Sequence, residues 1–135
     1  MNLYTMLQQR EAEGRPLRLG LIGAGKFAAM YLAQVPKTPG IHLAGIADLS
    51  PANARTNLQR VGWAAETFSA PTLDAALKDR RTHVGEDWEA LVAHRGIDII
   101  IEATGNPVAA VIHVLGAFRN GKHVVNVTVE ADCMC

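Results

Sequence analysis

Hydrophobic positions along this chain fall into short blocks that alternate between strand-like runs and helix-like spacing. Leu17–Ile22 is an apolar run interrupted only by Arg18 and Gly20, as suits a buried strand. Residues 26–34 then follow helical spacing until Pro36 and Pro39 stop them. Ile41, Leu43 and Ile46 predict a second strand ending at Ala47. Ser50, a good N-cap, and Pro51, suited to the first helical position, open a second helix. Its inner face is predicted to be Ala54, Leu58 and Val61. Residues 87–94 predict a helix that buries Trp88, Leu91 and Val92. Residues 97–104 form the strongest strand of the chain, dominated by β-branched side chains. Asn106 and Pro107 open another helix, with Val108, Val111, Ile112 and Leu115 expected against the sheet and His113 expected in solvent. Asn120-Gly121 ends that helix, and residues 122–127 are the last strand.

The stretch between the second and third strands is less regular. Residues 62–81 contain Trp63, Phe68 and Pro71 and a short helix over 72–80. They read as an insertion ahead of a brief third strand at 82–84. His83 and His94 are expected at the surface, since neither has a partner at metal-ligand spacing. Five strands, with a helix after each of the first four, predict a parallel, doubly wound α/β sheet of Rossmann type with right-handed crossovers.

The chemistry enters at the end of the first strand. Gly23, Gly25 and Ala28 follow it in the pattern Gly-x-Gly-x-x-Ala, and a helix begins there. Gly23 permits a sharp turn, Gly25 lets a pyrophosphate approach the main chain, and Ala28 lets the helix lie close to the strand. The free amides of the helix's first turn, with its dipole, favour a bound anion. Asp48 closes the second strand about 20 residues on, where a carboxylate can accept both ribose hydroxyls and repel a 2′-phosphate. Arg55, one turn into the next helix, is expected in solvent, with contact to a 2′-phosphate as the alternative. If strand order reverses between the first and fourth strands, Gly23, Gly25, Lys26 and Phe27 face Thr104, Gly105 and Asn106 across one crevice, with Asp48 at its side.

Residues 20–26 also fit the opening of a P-loop, Gly-x-x-x-x-Gly-Lys. Phe27 stands where that motif needs Ser or Thr for magnesium, so a nucleoside-triphosphatase is rejected. In 135 residues, 13 basic side chains balance 13 acidic ones, which gives no electrostatic case for nucleic acid or an anionic membrane as partner. No apolar run is long enough to span a bilayer, and the first fifteen residues lack a signal peptide's apolar centre. A cytoplasmic setting is therefore expected. Residues 1–16 are read as an N-terminal amphipathic segment carrying Leu3, Met6 and Leu7 at helical spacing, and residues 17–135 as the dinucleotide-binding domain. Cys133 and Cys135, two residues apart, suit reduced thiols better than a disulfide or a metal site.

Four segments carry a family resemblance: Gly-Leu-Ile-Gly-Ala-Gly-Lys-Phe, Gly-Ile-Ala-Asp-Leu-Ser-Pro, Ile-Glu-Ala-Thr-Gly-Asn-Pro, and Gly-Lys-His-Val-Val-Asn-Val-Thr-Val-Glu-Ala-Asp. With them the chain resembles homoserine-dehydrogenase-like, SAF-domain-containing oxidoreductases, including enzymes similar to 1-deoxy-xylulose-5-phosphate reductoisomerase. The resemblance implies an NAD(P)-binding domain followed by a catalytic and oligomerising region, so the chain is expected to stop before a sixth strand and before any substrate domain. A small-molecule substrate and a homo-oligomer through that further region are implied as partners. Related dehydrogenases carry a lysine just after the fifth strand, where this chain has Thr128-Val129-Glu130. The family includes NADPH users, so the cofactor is left as NAD or NADP. The function expected is to bind that cofactor for hydride transfer to a small carbonyl substrate, with no catalytic residue identifiable and no turnover by this chain alone. The alternative is a non-catalytic nucleotide-sensing or interaction module of the same fold.

Overall fold

The computed structural model describes residues 2–128. Expectations that fall on 129–135, including Cys133, Cys135 and Glu130, lie outside the described residues. The chain runs through α1 (Leu3–Ala12), β1 (Leu17–Ile22), α2 (Lys26–Gln34), β2 (Ile41–Ala47), α3 (Pro51–Arg60), α4 (Leu73–Asp79), β3 (His83–Gly85), α5 (Trp88–Ala93), β4 (Ile99–Glu102), α6 (Pro107–Arg119) and β5 (His123–Asn126). Short 3₁₀ turns lie at Val35–Lys37 and Ala65–Phe68. All neighbouring strands pair in parallel, in the order β3-β2-β1-β4-β5. The order reverses between β1 and β4, where Ile22 pairs with Glu102. A doubly wound sheet of this order is the expected one.

The predicted caps form: Ser50 accepts from the Asn53 amide and Asn106 from Ala109. Thr72 and Asp87 cap α4 and α5 in the same way, accepting from Ala75 and Ala90. Alternate side chains of the sheet divide between two cores. Leu19, Leu21 and Leu43 meet Ala28 and Leu32 of α2 and Leu58 of α3. On the other face Ile22, Ala44 and Ile100 meet Leu91 and Val92 of α5 and Ala117 of α6.

Residues 62–81, read above as an insertion ahead of the third strand, pack onto the core: Phe68, Ala70 and Ala76 are buried, and Trp63 Nε1 donates to the Leu32 carbonyl at 2.8 Å. They belong to the β2–β3 crossover. α1 forms and fully buries none of its residues; Leu3 and Met6 are exposed, while Leu7 is half-buried with its backbone against Gly40. Its attachment is polar, with Glu11 accepting from the Gly40 amide and from Arg80.

The phase of α6 needs correction. Val108, Ile112 and Leu115 are exposed, and its buried residues are Ala110 and Ala117. Small residues let the helix approach α5 closely: a methyl group placed on Gly116 would lie 2.8 Å from the Trp88 ring. Size complementarity, not hydrophobicity, selects the inner face here. His113 shares that face, three and four residues from Ala110 and Ala117, and its side chain is only 12% exposed.

Candidate functional site

Gly23 leaves β1 with φ +92°, a left-handed conformation that favours glycine. A Cβ there would lie 2.8 Å from the Thr104 backbone, so the turn is pressed against the end of β4. The Gly23 amide donates to the Ala47 carbonyl and Ala24 is buried. Two side chains fix the turn from outside. Asp48 Oδ2 accepts from the Ala24 amide at 2.8 Å, and Asn57 Nδ2 donates to the Ala24 carbonyl at 2.7 Å. Gly25, the N-cap of α2, differs: a Cβ built on it meets no atom within 4 Å. Its missing side chain opens onto a crevice rather than onto protein.

The amides of Gly25, Lys26 and Phe27 have no hydrogen-bond partner among the described residues. Ala28 resumes the ladder by donating to the Gly25 carbonyl, and it is buried, as a close helix–strand approach requires. Three successive exposed donors at a helix N-terminus are free to receive an anion. The crevice beside them has a volume of about 360 Å³, within the range of small-ligand sites. Gly23, Gly25, Asp48, Thr104 and Asn106 all line it, bringing together segments from β1, β2 and β4. Lys26 and Phe27 lie exposed on the first turn of α2, and the Phe27 ring lies over Gly105.

Asp48 is partly spent within the protein, since Oδ1 accepts from the Ser50 amide at 2.8 Å as well. A carboxylate has about four acceptor positions, so two amide bonds leave room for ribose hydroxyls. Arg55 donates to the Val84 carbonyl at 3.1 Å, which ties it to β3 and away from a 2′-phosphate role.

The remaining wall was not legible as a site in the sequence. Glu86, Trp88, Ala109 and His113 line it. The Trp88 and His113 rings are 4.7 Å apart at 58°. Behind them Glu102, the last residue of β4, is completely buried. His113 Nδ1 lies 2.5 Å from Glu102 Oε2; because an ionised carboxylate only accepts, Nδ1 carries the proton. Glu102 Oε1 accepts from the Thr104 amide (2.7 Å), the Thr104 hydroxyl (2.6 Å) and the Thr128 hydroxyl (3.0 Å). Thr128 in turn accepts from the Gly105 amide at 3.1 Å. One buried carboxylate thus ties β4, α6 and the end of the chain after β5 to the Thr104–Gly105 turn. The signal for it was an acidic residue inside an otherwise apolar strand end.

Burial pushes the Glu102 carboxyl up, but its bonds from His113 and Thr104 outweigh that and hold it below its ordinary value. A carboxyl depressed in the folded state adds stability that is complete above the unfolded value of 4.5 and is lost as pH falls through the folded value. Thermal melts between pH 7 and pH 3 should therefore show a fall in melting temperature below about pH 4.5. In Glu102→Gln that fall should be shallower, because the linked proton is absent; an equally steep decline would show that other carboxyls govern it.

Among the described residues, no group of histidine, cysteine and acidic side chains could hold a metal ion, and no helix is long and apolar enough to cross a membrane. Residues 17–126 match the GFO/IDH/MocA family, described as an oxidoreductase family with an NAD-binding Rossmann fold. No curated protein matches the chain. Among solved structures, biliverdin reductase from Synechocystis sp. PCC 6803, in complex with biliverdin and NADP+, is similar at 26% identity and a TM-score of 0.56. The match covers 82% of this chain and 29% of that one. Myo-inositol dehydrogenase from Lactobacillus casei, in complex with NAD(H) and myo-inositol, shares the fold at 15% identity and a TM-score of 0.59, over 82% of this chain and 28% of that one. The chain thus spans less than a third of the length of either. Neither of these two proteins is a homoserine dehydrogenase or a reductoisomerase, and the narrower resemblance draws no support from them. The chain belongs to the GFO/IDH/MocA oxidoreductase family, through its NAD-binding Rossmann domain.

Proposed function

We propose that this domain holds NAD(H) and presents its nicotinamide to a small carbonyl or alcohol substrate in an oxidoreductase. The carrying observation is the row of unpaired amides at Gly25, Lys26 and Phe27, the first of which lines the same crevice as Asp48. The amides and the Lys26 charge would take the pyrophosphate. Asp48 would take the adenosine ribose. Thr104, Gly105 and Asn106 would line the way toward the nicotinamide. The bound cofactor supplies or accepts the hydride; this chain's own residues bind it, orient it and shield one side of it from water. The narrower homoserine-dehydrogenase-like subtype draws no support from the matches. Turnover, the substrate and any assembly would depend on regions that longer relatives possess.

Asp48 next to the ribose, with Arg55 tied to Val84, favours NADH over NADPH. Fluorescence titration should give saturable NADH binding at least about tenfold tighter than NADPH, the equivalent of about 1.4 kcal/mol. In Asp48→Asn one of the amide bonds to Ala24 or Ser50 is lost as well, so binding of both nucleotides should weaken, NADH by at least about tenfold. Tighter NADPH binding by the wild type would reverse the assigned preference, and no saturable binding of either would remove the proposal.

A further inference from the structure

A second cleft, of about 560 Å³, lies at the opposite, amino-terminal edge of the sheet, between α1, the start of β1 and the end of α4. Five cations line it: Arg10, Arg15, Arg18, Lys78 and Arg80. Asp98 is the carboxylate in its lining, and Arg18 already binds it through its amide (2.9 Å), Nε (3.2 Å) and guanidinium (3.1 Å). Glu11 holds Arg80 through both oxygens, and Glu13 holds Arg15. Five cations meet three carboxylates, and Arg10 acts on Asp98 and Glu13 through charge alone. Neither the Arg10 guanidinium nor the Lys78 ammonium has a hydrogen bond or ion pair among the described residues.

Arg10 supplies a separate observation. Its Nε is buried and has no partner, although a buried guanidinium donor without an acceptor is costly. Arg80 shows the arrangement from another side. It is the one non-glycine residue with positive φ among the described residues, at +54°, a backbone conformation that costs free energy. The positive field reaches His42, which also lines the cleft: burial, together with the charges of Arg80 and Arg18 and against the Arg81 carbonyl, holds its imidazole below its ordinary value. A neutral His42 leaves the guanidinium groups as the donors available to a guest.

We propose that this cleft is a binding site for a small multiply charged oxyanion, a phosphate group above all, held by the fork of Arg10 and the ammonium of Lys78. Planar guanidinium groups match the paired oxygens of phosphate, and a lysine adds a compact charge. The site is independent of the dinucleotide crevice, which lies at the other ends of the same strands. Its source could be inorganic phosphate or the phosphate of a small metabolite; these share the recognising chemistry.

The test is an amide-resolved NMR titration with inorganic phosphate and, in a second arm, glucose 6-phosphate, at ionic strength held constant with sodium chloride. Saturable shifts are expected at the Gly14, Arg15 and Lys78 amides. Tighter binding of glucose 6-phosphate would point to a metabolite as the source, and equal or weaker binding to free phosphate. Arg10→Gln with Lys78→Gln should weaken binding at those amides at least tenfold, while Gly25→Val should leave it unchanged. Should the double variant fail to fold, Lys78→Gln alone, at an exposed residue, should weaken binding at least threefold. Shifts confined to Gly25–Phe27, no saturation at the named amides, or smaller losses in these variants would overturn the site.

Discussion

Gly25→Val should weaken NADH binding by about 100-fold or more, roughly 2.7 kcal/mol, while the domain stays folded. The two halves of this expectation rest on one observation, the absence of any atom within 4 Å of a Cβ built at that position. Because the space is empty of protein, a larger side chain meets no neighbour on folding, and stability should change by no more than about 0.5–1 kcal/mol. Because the same space lies before the free amides of Gly25, Lys26 and Phe27, the valine occupies the position of a diphosphate. Gly25→Ala should fall between the two. Thermal melts beside fluorescence titrations separate the outcomes: a folded variant that binds as well as wild type would place the dinucleotide elsewhere. Gly23 makes the contrast. A side chain there would strike the Thr104 backbone at 2.8 Å and force a left-handed conformation, so Gly23→Val should lose the fold along with the ligand.

Glu102→Ala should be among the most damaging single substitutions, costing about 3–5 kcal/mol, which for a domain of this size lowers the melting temperature by roughly 10–20 °C. The carboxylate is completely buried and receives four hydrogen bonds. Truncation would leave the Thr104 amide, two hydroxyls and the His113 ring facing a cavity without an acceptor. Glu102→Gln keeps the volume and one acceptor and should cost less than half as much. The crevice should suffer as well, since the network shapes the Thr104–Gly105 turn; NADH affinity should drop in Glu102→Gln even where the fold survives. A melting temperature within 2 °C of wild type for Glu102→Ala would show that the network contributes little.

Much of this molecule was legible without coordinates. Strand and helix limits follow the apolar blocks and caps closely: Leu17–Ile22, Ile41–Ala47, the Ser50-Pro51 start and the Asn106-Pro107 start all stand where local chemistry puts them. So does the glycine turn, because its requirements are backbone requirements that only certain residues meet. The misreadings share a cause. In α6 the greasier side chains were assigned to the core, yet Ala110, His113 and Ala117 face inward because the helix lies close to Trp88. Trp63 and Phe68 reach into the core beside Leu32, a contact that nothing local in residues 62–81 announces.

By itself, then, the sequence determined the order of elements, the glycine turn and the place of Asp48 at the end of β2, since each depends on neighbours a few residues apart. Only the tertiary structure decided that Glu102 and His113 form a buried pair, that Arg55 is tied to Val84, and that cations from α1, β1 and α4 gather in one cleft. Those contacts join groups 11 to 69 residues apart along the chain. Which of them meet is settled by how closely each helix can approach the sheet, a matter of side-chain volume summed over many positions that no local pattern encodes.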